Sequence, residues 1–307
     1  MTVPTARLAS SALMNDWLHT TITSWYAANQ RELPWRDPGT TAWGVLVSEV
    51  MSQQTPVGRV APLWTQWMER WPTPTDFAAA NTADVLRAWD RLGYPRRALR
   101  LHECAQAVVD RHDGEVPSDL DELLALPGIG TYTASAVAVF AYGKRHPVVD
   151  TNVRRVVARY AGGEPDAGMA TTRRDLTATE ALLPTDAATA AIVSIGLMEL
   201  GATLCAARKV DCGECPLKPR CKFHATGAEL PDRPSRKTQR YHGTTRYVRG
   251  QIMALLRAND TPVPRVAIDG VWHEDARRAE ALAGLITDGL VDALDGDLFV
   301  LAGADGD

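Results

Sequence analysis

The sequence predicts a mainly α-helical chain that ends in a small α+β module, and three observations carry that expectation. Apolar residues recur at helical period over most of the chain, proline and glycine break the pattern at short intervals, and strand-like alternation is confined to the end, around an Asp-Gly pair. Val60, Leu63, Trp64, Trp67 and Met68 form one helix face, and Leu101, Cys104, Ala105, Val108 and Val109 form another. The breaks fall at Pro72 and Pro74, Gly93 to Pro95, Gly114 to Pro117 and Gly162 to Gly168, which leaves connections short enough for packed helices. Residues 1 to about 226 therefore read as nearly all α. Ala228 to Thr245 is poor in apolar residues and rich in turn formers and cations, so it reads as a linker. Helices follow at about 246–258 and 274–289, then Val291 to Val300, where Asp295-Gly296 sits between alternating apolar residues as in a hairpin. This is the outline of a winged-helix-like module.

At 307 residues the chain is too long for one compact core, so two or three domains are expected. A composition of 45% hydrophobic and 23% charged residues excludes collagen, a disordered tail protein and a disulfide-stapled mini-protein. The longest uncharged apolar run, Thr131 to Gly143, is shorter than the ~18 residues a membrane span needs. No basic flank precedes an apolar core at the N-terminus, so a cytoplasmic location without membrane partners is expected. The net charge of −4 hides an uneven distribution. Cys205 to Arg249 holds 11 Lys/Arg against 4 Asp/Glu, whereas Gly250 to Asp307 holds 4 against 11. The basic stretch is a candidate polyanion surface, or equally a solvated linker, and the acidic tail is not suited to phosphate.

Four of the five cysteines, Cys205, Cys212, Cys215 and Cys221, fall within 17 residues at C-x6-C-x2-C-x5-C spacing. In a reducing compartment such density indicates metal ligation, because four thiolates close one tetrahedral shell or hold one cluster. Zinc and [4Fe–4S] both remain open on this ground, although a zinc ribbon more often shows two CxxC pairs. Cys104 lies on an apolar helix face and reads as core.

Leu126-Pro-Gly-Ile-Gly130 joins a short helix at Ser118 to Ala125, with Ser118 and Asp121 at capping-box spacing, to a helix at Thr131 to Tyr142. Its glycines permit a tight turn and expose N–H groups at a helix start, which suits a phosphate; a plain connection between helices is an equal reading of the pentapeptide. Twenty residues beyond Gly130, Asp150 follows two valines and precedes a helix containing Asn152, Arg154 and Arg155. Taken alone, Asp150 is an N-cap. Glu49, taken alone, is a solvated helix residue, except that Val45, Leu46, Val50 and Met51 surround it with apolar side chains.

In this order and at these separations, the features resemble the helix-hairpin-helix DNA glycosylases of the endonuclease III superfamily, and most closely their A/G-specific adenine glycosylases of the MutY type. The resemblance rests on Leu33 to Arg36, Val47 to Pro56, Leu92 to Tyr94, Leu126 to Ala134, Val149 to Val153 and the four-cysteine loop, and covers roughly residues 15 to 226. It implies a glycosylase fold of two helical subdomains, one at 1–29 and 146–226 carrying a [4Fe–4S] loop held by the four cysteines, the other a helical barrel at 30–145 with the helix-hairpin-helix. A basic linker at 227–245 and the module at 246–307 follow.

The implied substrate is duplex DNA with adenine opposite 8-oxoguanine or guanine, in base excision repair. The base must be flipped from the stack, protonated and released as the sugar becomes oxocarbenium-like. The resemblance makes Glu49 the general acid, which requires a raised pKa, and Asp150 the group that stabilises the sugar cation. It places Tyr132 and Asn152 beside the sugar; helix packing and capping are their plainer readings. Gln53, Gln54 and Thr55 match the segment that enters the space left by the base, and Tyr94 an intercalating aromatic, against the alternatives of a helix end and a core residue. Leu126, Gly128, Gly130 and Thr131 form the DNA-binding hairpin.

Lyase members of the superfamily carry a lysine where this chain has Tyr132, so hydrolysis by water is expected rather than an endonuclease III-like glycosylase/lyase acting on damaged pyrimidines. A non-catalytic iron–sulfur DNA-binding redox sensor would need neither Glu49 nor Asp150. Two features depart from the family pattern. The last 60 or so residues do not read as the MutT/Nudix-like domain that reads 8-oxoguanine, and Ser52 stands where a bulkier apolar residue is common. Linker cations Arg233, Arg236, Lys237 and Arg240 are expected to touch DNA. A monomer is expected.

Overall fold

A computed structural model describes residues 5–168, 172–227, 229–230 and 241–304, without the side chains of 5–14. The elements are α1 (Thr5–Asn29), α2 (Ala42–Ser52), α3 (Val57–Arg70), α4 (Pro74–Ala78), α5 (Thr82–Trp89), α6 (Arg96–His112), α7 (Leu120–Leu124), α8 (Thr131–Phe140), α9 (Thr151–Val157), α10 (Arg173–Glu180), α11 (Ala187–Thr203), α12 (Lys222–Ala225), α13 (Thr245–Arg257), β1 (Val263–Pro264), α14 (Arg265–Asp269), α15 (Asp275–Thr287), β2 (Val291–Leu294) and β3 (Leu298–Leu301). The architecture is mainly α with a small terminal sheet, as the apolar spacing predicts. Among the described residues no helix is long and apolar enough to cross a membrane. The linker cations Arg233, Arg236, Lys237 and Arg240 lie outside the described residues.

The chain forms two compact units. The first comprises Met1–Val45, Ser118–Leu124 and Gly130–Arg233, and the second Leu46–Pro117, Ala125–Ile129 and Pro234–Asp307. In the first, Leu18 and Ile22 of α1, Val153 and Val156 of α9, and Val193, Leu197 and Leu200 of α11 form one apolar core. Two small residues on α11 set its distance from its neighbours. A Cβ at Gly196 would lie 2.5 Å from Ile22, and one at Gly201 2.8 Å from Asn152, so only glycine permits these approaches.

The same helix carries Glu199, whose side chain is fully buried. Arg31 binds it through Nε at 2.6 Å and Nη2 at 2.9 Å, and Arg36 adds Nη2 at 2.8 Å. Burial opposes the charge, but the bonds from Arg31 and Arg36 win and pull the carboxyl down to about 2. The motif Leu33-Pro-Trp-Arg36 thus ties the segment after α1 onto α11.

In the second unit, Trp67, Trp71, Phe77 and Trp89 pack edge-to-face or tilted with centroids 5.1 to 5.6 Å apart, and His102 stacks edgewise on Phe77. The terminal module adds to this unit rather than standing apart. Ala83 and Leu86 of α5 share one core with Val248, Ile252 and Leu256 of α13 and Phe299 and Leu301 of β3. Asp288 accepts from Arg96 of α6 and from Arg249 of α13, clamping the junction.

Within the module the antiparallel sheet runs in the order β1-β3-β2, with Val291 opposite Leu301 and Leu294 opposite Leu298. The register leaves a three-residue loop, Asp295 to Asp297, with Gly296 at φ +79° and Asp297 at φ +60°. The spacing of the sequence foretells α13, α15 and this hairpin; β1 and α14 are too short to show a period. A second difference lies at α7. Asp119, not Ser118, caps it, because its Oδ1 accepts from the N–H groups of both Asp121 at 2.9 Å and Glu122 at 3.2 Å.

Glu199→Gln leaves two guanidinium groups facing a neutral amide, and should cost about 3–5 kcal/mol at pH 7. A depressed carboxylate contributes stability above its unfolded pKa of 4.5 that disappears as pH falls toward 2. The gap between wild-type and variant unfolding midpoints in urea, followed by circular dichroism, should therefore narrow below pH 4.5 and stay constant above it.

Candidate active site

Val148 and Val149 are buried, and Asp150 then caps α9 in extended backbone with φ −91° and ψ −176°. Its Oδ1 accepts from Asn152 N at 2.9 Å and Val153 N at 2.7 Å, and Oδ2 from Asn152 Nδ2 at 2.8 Å. Burial raises the Asp150 pKa, while these bonds and the Arg155 charge pull the other way without cancelling it. The carboxyl is thus both a cap and a half-buried, oriented acid.

The network continues behind it. Asn152 Oδ1 accepts from Arg155 Nη2 at 2.7 Å, and Arg155 donates through Nε to the Cys205 carbonyl at 2.6 Å and through Nη2 to Gly201 O at 2.6 Å. An unbroken hydrogen-bond path therefore links the Asp150 carboxyl to the start of the cysteine loop. Beyond α9 the helix widens into a π turn, Ala158–Gly162, which carries the buried Arg159. Arg159 Nη1 donates to Cys205 Sγ at 3.3 Å and to Ala206 O at 2.9 Å.

Cys205, Cys212, Cys215 and Cys221 are all free thiols. Burial pushes the Cys215 thiol up to about 11, and the other three thiols add to the rise. Among the described residues no three His, Cys, Asp or Glu side chains converge as ligands of one ion would. Cys104 is buried in α6 and burial pushes it up to about 12, which makes it an inert core thiol.

Glu49 lies on α2, half-buried, between the buried Val45, Leu46, Val47, Ser48, Val50 and Met51. The helix ends at Ser52, and Gln54 takes φ +55° in the open while Thr55 is buried. Gly93 at φ +81° and Tyr94 at φ +48° form a second turn, with Tyr94 46% exposed and so not a core aromatic.

One residue binds both turns. The guanidinium of Arg97 donates to the carbonyls of Val50, Met51 and Gln53 at 2.8, 3.1 and 2.6 Å, to Thr55 Oγ1 at 3.1 Å, and to the carbonyls of Leu92 and Gly93 at 3.3 and 3.1 Å. Burial lowers its pKa to about 10, which leaves it charged at neutral pH.

In the hairpin, Leu126 is buried, Ile129 N donates to Leu126 O at 3.2 Å, and Gly128 has φ +75°. A Cβ on Gly128 would lie 3.0 Å from that of Arg100, so both torsion and space demand glycine. Gly130 is the N-cap of α8 with no side-chain cap, and Thr131 is exposed at its first position. Tyr132 is half-buried against Ala136, Val139 and Val148.

The candidate residues thus divide between the units. Asp150, Asn152, Tyr132, Gly130, Thr131 and the cysteines belong to the first, and Glu49, Gln53, Gln54, Thr55, Tyr94, Leu126 and Gly128 to the second.

Residues 47–179 match the model of the HhH-GPD superfamily base excision DNA repair proteins. The chain is also 54% identical over 281 residues to an adenine DNA glycosylase of Mycolicibacterium smegmatis, an alignment that spans 91% of this chain and 94% of that one. The chain belongs to the HhH-GPD superfamily. Among solved structures it is similar to a thermostable thymine-DNA glycosylase, at TM-score 0.62 and 26% identity over 69% of this chain and 97% of that one. It shares its fold with endonuclease III solved in a non-covalent DNA complex, at TM-score 0.58 and 23% identity over 70% and 97%.

Four side chains of this HhH-GPD protein escape the sequence reading: Arg97, Arg155, Arg159 and Glu199. Arginines on helices are common and solvated, and only packing shows where their donors end. A signal existed for Glu199 alone, as a lone acid inside the apolar stretch Ile192 to Leu200.

Arg97→Lys offers three donors on one nitrogen to six acceptors and should lower stability by about 2–4 kcal/mol, read from the urea unfolding midpoint. A midpoint equal to wild type would show the two turns to be held by other contacts.

Proposed function

We propose that the protein is an adenine DNA glycosylase that hydrolyses the N-glycosidic bond of adenine opposite 8-oxoguanine or guanine in duplex DNA. One observation carries this reading: the near full-length similarity to a protein named adenine DNA glycosylase, at 54% identity. The site chemistry supports it.

In the proposed reaction the adenosine leaves the stack and Glu49 protonates adenine N7. The C1′–N9 bond breaks with its electrons going to the base, and water adds to C1′ while losing a proton to Glu49. Adenine and an abasic sugar result. Asp150 faces the sugar cation. Its burial raises what it gains from a neighbouring positive charge, and the bonds from Asn152 and Val153 aim its oxygens without reorganisation. Tyr132, with no amine to form a Schiff base, leaves water as the nucleophile. Gln53, Gln54 and Thr55 fill the vacated space, Tyr94 wedges the strand, and Leu126, Gly128, Gly130 and Thr131 receive phosphate at the start of α8.

Cys205, Cys212, Cys215 and Cys221 would hold a [4Fe–4S] cluster, to which Arg159 adds a donor on Cys205 sulfur. The donor set fits: four cysteines within 17 residues, of which Cys205 and Cys221 both meet Arg159, supply the four thiolates of a cluster in which each takes its own iron. When bound, the cluster supplies structural cross-linking that fixes the exposed Arg208, Lys209, Lys218, Arg220 and Lys222 for phosphate.

Under single-turnover conditions, a duplex with adenine opposite 8-oxoguanine should be cleaved after alkali by wild type. Glu49→Gln and Asp150→Asn should each lose at least about 10²-fold in rate. Borohydride should trap no covalent adduct; efficient trapping would overturn the hydrolytic assignment. Purified protein should be brown with broad visible absorption and contain iron and acid-labile sulfide, and colourless zinc-bearing protein would replace the cluster with a zinc site.

A further inference from the structure

The terminal module brings charge to a place that its acidic composition hides. Arg246, exposed in the first turn of α13, lies with its guanidinium carbon 4.7 Å from the Tyr94 ring centroid and 5.7 Å from that of Tyr241. Arg97 approaches the same Tyr94 ring at 5.9 Å. Both rings face solvent, Tyr94 at 46% and Tyr241 at 54% exposure. Among the described residues no carboxylate lies within ion-pair distance of Arg246, and Asp288 pairs instead with Arg96 and Arg249. The shared core of α5 and α13 and the Asp288 clamp fix this arrangement. Tyr241 is itself seated edgewise on Tyr247, 5.5 Å between centroids. An unpaired planar cation between two exposed aromatic faces has the chemistry that stacks on nucleobases and pairs with phosphate.

We propose that Tyr94, Arg246 and Tyr241 form one cation–aromatic platform through which the terminal module grips the DNA strand entered by Tyr94. The platform makes the module part of the DNA-binding face, and it rests on the reading of the protein as a DNA glycosylase. The cations favour a polyanion, and the stacked rings favour bases exposed where the duplex is opened.

The test is fluorescence anisotropy on a labelled duplex carrying a tetrahydrofuran abasic analogue opposite 8-oxoguanine, which the enzyme cannot process. Arg246→Ala should weaken Kd about 5- to 30-fold and reduce the slope of log K against log salt by about one. Arg246→Lys, which keeps charge without the planar stack, should retain the slope and lose part of the affinity. Arg265→Ala removes a module cation already paired with Asp269 and should change neither. Wild-type affinity and slope in Arg246→Ala, with wild type active on adenine, would overturn the platform. If wild type fails to release adenine but Arg246→Ala still loses affinity, the platform stands and the assigned reaction falls.

Discussion

The structure of the first unit depends on how a half-buried carboxyl is held at the beginning of α9. Asp150 is pushed toward its neutral form by burial and held by two backbone N–H groups and the Asn152 amide. Asn152 keeps that orientation because its own oxygen is occupied by Arg155, and Arg155 is fixed by the carbonyls of Cys205 and Gly201. Gly201 lets α11 come close enough for these bonds to form. A cap, a helix packing distance and the cysteine loop are therefore one mechanical element, and altering any part of it disturbs the aim of the carboxyl.

Arginine recurs as the tie elsewhere. Arg31 and Arg36 close on Glu199 inside the first unit, Arg97 gathers the carbonyls of two irregular turns in the second, and Arg159 reaches a cysteine sulfur. The guanidinium suits each place because its planar fork serves several acceptors at once and stays charged when burial lowers its pKa. Irregular backbone around Gln54 and Tyr94, where φ is positive, persists because these bonds over-determine it.

Much of this was legible in the residues. Helical spacing gave the α class, and Asp-Gly marked the terminal hairpin. Asp150 could be read only as a cap or a site, and the coordinates make it a cap whose carboxyl is half-buried and aimed. The unread parts share a physical cause. β1, α14 and the cap at Asp119 are too short to carry a period. Arg97 and Arg155 draw their importance from acceptors distant in sequence, at residues 50 to 55 and at 201 and 205. The composition of the module, acidic on average, concealed Arg246 beside the Tyr94 ring, a place set by packing against α5 and α6.

The dependence of Asp150 on the chain behind it can be measured by a double-mutant cycle on Asn152→Ala and Arg155→Met, read as single-turnover adenine release. If the two side chains act as one support, the double variant loses little more than the more damaging single variant, a coupling of about 1 kcal/mol or above. Losses that simply add would show that Arg155 does not act through Asn152, and would contradict the account.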